Sequence, residues 1–138
     1  MGMGKPDPEL MLRCDRITDK IIGAAIEVHR TLGPGLPEST YEACLFHELM
    51  PLGISVRRQV EIPVHYKGKT IDCGYRLDLL VEDLIVIELK AVEKVLPIHE
   101  AQLLTYLRLA NLPLGLILNF NVTQLTKGIT RRINNVHA

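Results

Sequence analysis

One run of this chain, Leu84 to Ile87, is apolar at every position and leads directly into Glu88-Leu89-Lys90. Side chains alternate between the two faces of a β-strand, so a strand that is apolar at consecutive positions has to be covered on both faces. Helical patterns precede and follow this strand, which together predict an α/β fold with a mixed β-sheet and flanking helices. The same alternation places Glu88 and Lys90 on one face at the end of the strand.

Periodicity and turn residues suggest the other elements. Apolar residues recur at helical spacing in three segments, and β-type runs lie between and after them. We predict helices over 15–31, 37–50 and 97–110, one or two strands over 56–64, and strands over 71–81, 84–90, 114–120 and 128–133. The first residues contain two Gly and two Pro, so 1–14 is predicted to be a flexible N-terminal arm and 15–138 a single domain.

The apolar runs and the cysteines of the sequence indicate the cellular compartment. Within the 138 residues there is no run of about 18 apolar residues and no apolar stretch of the signal-peptide type near the start, so we expect a cytoplasmic protein that does not enter a membrane. The three cysteines are odd in number and lack metal-binding spacing, which predicts free thiols.

The net charge is zero, which argues against a large basic surface for nucleic acid. Bases are nevertheless grouped in two parts of the chain and could form local basic rims. The residues concerned are Arg57, Arg58, Lys67, Lys69, Arg131 and Arg132.

Asp78 lies ten residues before Glu88 and joins it only if the two share a face of the sheet. That requires a turn with an odd number of residues, for example 82–84, whereas a two-residue turn would put Asp78 on the opposite face. Carboxylates at the end of a buried strand need partners, and Mg²⁺ with its waters and substrate phosphate oxygens is a suitable one. The Leu89 carbonyl could also reach the ion, and Lys90 could orient an attacking water or neutralise phosphate charge. The alternative is a Glu–Lys surface pair with Asp78 in a turn.

Two helices offer supporting residues. Glu38 begins the second helix on the same stripe as Leu45 and Leu49, where a metal ligand or a water-activating base would explain a buried carboxylate. The alternative is a first-turn Glu that stabilises the helix and faces water. Gln102 and Tyr106 lie one above the other on the third helix and need hydrogen bonds, which site carboxylates or a phosphate would supply.

This combination resembles the PD-(D/E)xK nuclease superfamily, and Gln102-x-x-x-Tyr106 is similar to the helix motif of its RecB-like branch. Gly35-x-x-Glu38-x-x-Tyr41 resembles the signature of the small GxxExxY proteins in that superfamily, and the likeness extends from about 15 to 133. The resemblance implies a restriction-endonuclease-like core and Mg²⁺ or Mn²⁺ as cofactor. Leu77 stands where the superfamily motif has proline. The site residues implied are Glu38, Asp78, Glu88 and Lys90, with Gln102 and Tyr106 as supports.

We therefore expect a metal-dependent nuclease that hydrolyses phosphodiester bonds, in DNA rather than RNA. The alternative is a catalytically silent module that keeps the nuclease fold and binds nucleic acid or protein, because zero net charge and few aromatic residues offer little surface for nucleic acid. Such a chain could act with a protein partner or as a homodimer, and the largely uncharged segment 112–126 could cover an edge against a second copy.

Overall fold

The computed structural model describes residues 7–135, and these form a five-stranded mixed sheet with helices on both faces. The strands are ordered as in the chain, β3 and β4 are parallel, and all other neighbours are antiparallel. The predicted α/β class with a mixed sheet and flanking helices is confirmed. The elements are α1 (Pro8–Leu32), α2 (Glu38–Leu49), β1 (Val56–Tyr66), β2 (Lys69–Val81), β3 (Ile85–Lys90), α3 (Pro97–Ala110), β4 (Leu114–Asn119) and β5 (Ile129–Ile133), with short 3-10 turns at Met50–Leu52 and Leu125–Gly128.

Helix α1 begins earlier than the apolar pattern predicted. The Asp7 carboxylate accepts a hydrogen bond from the Leu10 N–H at 3.4 Å, and Pro8 occupies the first helical turn, where its missing N–H is not needed. Cys14 is fully buried on this helix. The predicted flexible arm over 1–14 is therefore wrong for 8–14, and the part of that prediction covering 1–6 lies outside the described residues.

The sheet separates two apolar layers, and β3 contributes to both. Ile85, Ile87 and Leu89 pack in the layer formed with α1 and α2, whereas Val86 packs in the layer formed with α3. β3 is thus covered on both faces, as its apolar run predicted. By strand alternation, Glu88 lies on the same side as Val86, toward α3.

The β2–β3 turn has the odd length that a shared acid face requires. Val81 pairs with Ile85, so residues 82–84 form the turn. Glu82 and Asp83 adopt left-handed backbone angles (φ 54° and 52°), a conformation that is unfavourable for residues other than glycine. Each has a stabilising contact: Glu82 Oε2 accepts from the Ser55 N–H at 2.5 Å, and Arg57 pairs with Asp83 at 2.6 Å.

At Gln59 the β1–β2 hairpin twists, so that side chains of β1 before and after this residue point to different faces of the sheet. Arg58 is paired with Glu42 on α2, whereas Val60, two residues later, packs in the α3 layer. Gln59 between them has a left-handed φ of 51°, which reverses the direction of the side chains that follow. Arg58 pairs with Leu79 and Val60 pairs with Leu77, so one residue on each strand between these pairs is not paired. On β2 this residue is Asp78, so this candidate acid lies where the hairpin twists.

The strand within the segment 112–126 lies inside the sheet and does not form an edge. All six residues of β4 are buried, and the strand pairs with β3 on one side and β5 on the other. The prediction that this segment provides an edge for a second copy is therefore wrong for 114–119, whereas Asn121, Thr123, Gln124 and Thr126 after the strand are exposed.

All four arginines predicted to form basic rims are paired with acids. The pairs are Arg57–Asp83, Arg58–Glu42, Arg131–Asp15 and Arg132–Glu100. Their charges are largely compensated within the chain, which removes most of the basic surface suggested by the sequence.

Two other expectations can be compared with the structure. The three cysteines are free thiols, as predicted. Across residues 7–135, no helix combines the length and the apolarity needed to cross a membrane.

Candidate active site

Asp78 and Glu88 lie opposite each other and exchange hydrogen bonds with the neighbouring strand. Beyond the Leu79–Ile87 pair, the Asp78 N–H donates to Glu88 Oε2 at 3.1 Å, and the Leu89 N–H donates to Asp78 Oδ2 at 2.9 Å. Each carboxylate is thereby fixed through one oxygen. Within the described chain the other two oxygens, Asp78 Oδ1 and Glu88 Oε1, accept no hydrogen bond, so both remain able to bind a cation.

The environment of the two acids favours their neutral forms. Burial and, second, the nearby Asp78 carboxylate raise the pKa of Glu88 to about 8. Burial also raises the pKa of Asp78, with further increases from the charges of Glu42 and Glu38. The Lys90 ammonium acts in the opposite direction on both pKa values but does not cancel these effects. Burial therefore favours protonation of both acids, and a bound cation would stabilise their charged forms.

Lys90 ends β3, and the chain beyond it is fixed by β4. The Phe120 N–H donates to the Lys90 carbonyl at 2.9 Å. Asn119, which pairs with Lys90 across the parallel strands, accepts from the Val92 N–H at 3.1 Å and donates to the Val92 carbonyl at 2.9 Å. The sequence analysis missed Asn119, although an amide at the end of the apolar run 114–118 was a usable signal.

Glu38 is close to the end of β3 but is not buried. It is the first residue of α2 and is exposed, and its Oε2 accepts from the Ala91 N–H at 3.4 Å. The expectation that Glu38 is held on a buried stripe is wrong, because that stripe becomes buried only from Tyr41 onward. Its carboxylate nevertheless lies beside the residue that follows Lys90.

Tyr41 determines the shape of the loop that leads to Glu38. Its hydroxyl donates to the Gly33 carbonyl at 2.5 Å and accepts from the Leu36 N–H at 3.1 Å, and its ring stacks on Phe120 with centroids 4.4 Å apart. In the Gly35-x-x-Glu38-x-x-Tyr41 motif, the tyrosine therefore has a structural role and positions the start of α2.

Glu42 is a buried acid that the sequence analysis did not identify. It accepts from Arg58 Nε at 3.1 Å and from Gln59 Nε2 at 2.8 Å. Its charge contributes to the raised pKa values of Asp78 and Glu88. Because both of its oxygens already have partners, Glu42 acts on the site by fixing the rotated part of β1 beside Asp78.

Gln102 and Tyr106 face the site from α3 without bonding to its acids. Gln102 is exposed, Tyr106 is half-buried, and within the described chain neither forms a hydrogen bond with Asp78 or Glu88. Burial, followed by the negative charge of Glu88, raises the pKa of Tyr106, so its hydroxyl stays protonated close to the acids. Tyr106 is instead hydrogen-bonded to Gln102, so among the described residues the predicted bonds from this pair to the site carboxylates are not formed.

The model of the PD-(D/E)XK nuclease superfamily matches residues 15–132, a stretch that includes every candidate site residue. The chain belongs to this superfamily. Comparisons with curated proteins and with solved structures returned no match. PD-(D/E)XK nucleases generally use divalent metals and act on nucleic acids.

As in a PD-(D/E)XK nuclease, the acid pair fits a hard divalent cation. Residues 7–135 contain no group of three or more His, Cys, Asp or Glu side chains arranged to hold a metal ion. Mg²⁺ does not require one, because it binds through one or two carboxylates and fills its remaining positions with water and phosphate oxygens. Asp78 and Glu88, each with one oxygen available, provide that set.

Proposed function

We propose that this protein is a metal-dependent nuclease that hydrolyses phosphodiester bonds, in DNA rather than RNA. The observation that carries the proposal is the facing pair of Asp78 and Glu88, each with an unbonded oxygen, with Lys90 following on the same strand face. The Gly35-x-x-Glu38-x-x-Tyr41 motif further supports grouping the chain with the small GxxExxY proteins. Its free thiols are consistent with the cytoplasm as its location.

In this proposal Asp78 and Glu88 hold Mg²⁺ or Mn²⁺, with the Leu89 carbonyl and Glu38 as further candidate ligands. The ion would supply positive charge for the phosphoryl oxygens and a more acidic bound water. Lys90 orients the attacking water and compensates charge on the phosphate. Tyr106 and Gln102 donate hydrogen bonds to the phosphate from the α3 side.

Cleavage assays test this proposal directly. DNA and RNA of matched sequence are incubated with the protein and Mg²⁺ or Mn²⁺, alongside Asp78→Asn, Lys90→Ala and the control Glu93→Gln, an exposed acid three residues after Lys90. We expect DNA cleavage to fall at least about 100-fold in the two site variants, the scale of losing one catalytic group, and to be unchanged in the control. Equal cleavage by all four proteins would contradict the site, and preferential cleavage of RNA would contradict the substrate.

Metal binding separates an inactive protein from a wrong site. Mn²⁺ should raise the melting temperature of the wild type but not that of an Asp78→Asn/Glu88→Gln double variant, because only a ligand that binds the folded state stabilises it. Stabilisation of the wild type without cleavage of either nucleic acid would instead support the silent binding module.

A further inference from the structure

A cleft lies between β2 and α3, beside the carboxylate pair. Its volume is about 480 Å³, and it is lined by Tyr75, Ile98, Gln102, Thr105 and Tyr106, among others. Tyr75 is 42% exposed and Ile98 is 67% exposed, which are high values for large apolar side chains. This surface is therefore open to a ligand with an apolar face.

The aromatic rings of the cleft are arranged so that one of them remains available. The centroids of Tyr75 and Tyr106 are 6.0 Å apart and their planes are tilted by 39°, so they are not stacked on each other. Tyr106 also lies close enough to the acids for the charges of Glu88 and Asp78 to raise its pKa. A ligand resting on Tyr75 would thus be next to the proposed reaction centre.

The part of the lining around Tyr75 has the chemistry to bind a nucleobase. The lining contains no Lys, Arg, Asp or Glu, and its polar groups are the Gln102 amide, hydroxyls and the His99 imidazole, whose Nδ1 accepts from the Leu96 N–H. A base offers an aromatic face for Tyr75 and edge groups for the Thr105 hydroxyl. A base within a duplex is stacked on both faces and cannot enter such a cleft without leaving the helix.

We propose that the cleft binds an unpaired nucleobase of the substrate, stacked on Tyr75, beside the nucleotide that is cleaved. This inference rests on the proposed nuclease function and specifies its substrate as single-stranded or locally unpaired nucleic acid. Stacking would also add to the binding energy that charge supplies, since the net charge is zero and all four candidate rim arginines are paired.

Binding in EDTA tests the cleft without requiring cleavage. Fluorescence anisotropy would compare a short oligodeoxythymidylate with an abasic oligomer of the same length and charge, using wild type, Tyr75→Ser, Tyr75→Phe and Tyr66→Ser. Tyr66 is the matched control because it is 56% exposed on the same hairpin and lies outside the cleft. We expect Tyr75→Ser to weaken binding about fivefold or more, the lower end for one base on an aromatic ring, and the other two variants to bind like wild type.

Removing the bases provides a second measurement that does not depend on the folding of a variant. The abasic oligomer should bind the wild type more weakly, and Tyr75→Ser should cause little further loss with it, because both changes remove the same contact. The cleft proposal is overturned if Tyr75→Ser binds the thymidylate as tightly as wild type, or if duplex DNA binds more tightly than single strands. It is also overturned if the losses of binding free energy caused by Tyr75→Ser and by removal of the bases are additive.

These results remain separable from the nuclease proposal. Tyr75-dependent binding by a wild type that cleaves nothing with Mg²⁺ or Mn²⁺ would support the cleft and refute the nuclease. Metal-dependent cleavage together with unchanged binding by Tyr75→Ser would refute the cleft and leave the nuclease in place.

Discussion

At Glu88, the surroundings in the folded protein oppose the charge that the proposed reaction needs. Its pKa is about 8 in the fold, against an ordinary value of 4.5. Between these values the folded protein keeps a proton that the unfolded chain has released, so the free energy of unfolding falls as the pH rises from about 4.5 to about 8. A bound divalent cation favours the charged carboxylate and would remove this dependence.

The Glu88→Gln variant should show this effect in a metal-free buffer. Between pH 5 and pH 8 the wild type should lose at least about 1 kcal/mol more unfolding free energy than the variant, because glutamine does not titrate. Urea unfolding in EDTA, followed by circular dichroism, measures the difference. Glu93→Gln removes an exposed acid and should show the same pH dependence as the wild type. If the unfolding free energies of wild type and Glu88→Gln changed equally with pH, Glu88 would not be the origin of the pH dependence.

Several site residues were predictable because the constraints on them are local. Asp78 and Glu88 belong to one hairpin, and burial of both faces of β3 leaves only an odd turn that brings them together. Glu42 was not predictable in this way. Its partners Arg58 and Gln59 come from another strand, and only the packing of α2 against that strand makes a buried carboxylate acceptable.

Among the elements, α3 packs closely against β4 at a glycine. A Cβ atom on Gly115 would lie 2.6 Å from Leu103 Cδ1 and within 3.1 Å of two further atoms of that side chain. Leu103 is 1% exposed, so it has little room to move aside. The position of α3, and with it that of Gln102 and Tyr106, therefore depends on the absence of a side chain in β4.

Gly115→Ala should lower the free energy of unfolding by about 1–3 kcal/mol, as expected for added volume in a packed core. Gly23→Ala in α1 is the matched control: nothing lies within 4 Å of its Cβ position, so alanine should stabilise the helix by about 0.5–1 kcal/mol. Urea unfolding of the two variants gives both values. A Gly115→Ala protein as stable as wild type would mean that α3 can shift on the sheet.

The boundaries of helices and strands could be predicted where the sequence has residues with a strong preference for turns or helix ends. The hairpin turn at Lys67-Gly68 and the end of α3 near Ala110 lie where the pattern placed them. The start of α1 was missed although Asp7-Pro8 is a recognisable helix start. The rotation of the hairpin at Gln59 had no such signal, because strand alternation assumes that a strand keeps its faces throughout.

For the whole molecule, compensated charge limits how strongly salt can affect nucleic-acid binding. Each phosphate contact with a lysine or arginine contributes about −0.7 to the slope of log K against log salt for single strands. All four candidate rim arginines are paired with acids, which reduces the number of cations in those regions that can make such contacts.

Binding of a single-stranded oligonucleotide should therefore show a slope of about −3 or shallower, equivalent to about four phosphate contacts or fewer. Anisotropy titrations in EDTA over a range of salt concentrations measure it. Tyr75→Ser should weaken binding at every salt concentration without changing the slope, because it removes a ring and no charge. A slope of −6 or steeper would indicate a basic surface that forms only on binding.

The three-residue turn between Val81 and Ile85 also bears on how relatives of this protein should be compared. Gain or loss of one residue there would leave every letter of the acid–acid–lysine motif in place and β3 still buried, yet would move Asp78 to the other side of the sheet. A change of two residues would keep both acids together. In an alignment, a single-residue gap at this turn would therefore mark a chain that has kept the motif and lost its chemistry.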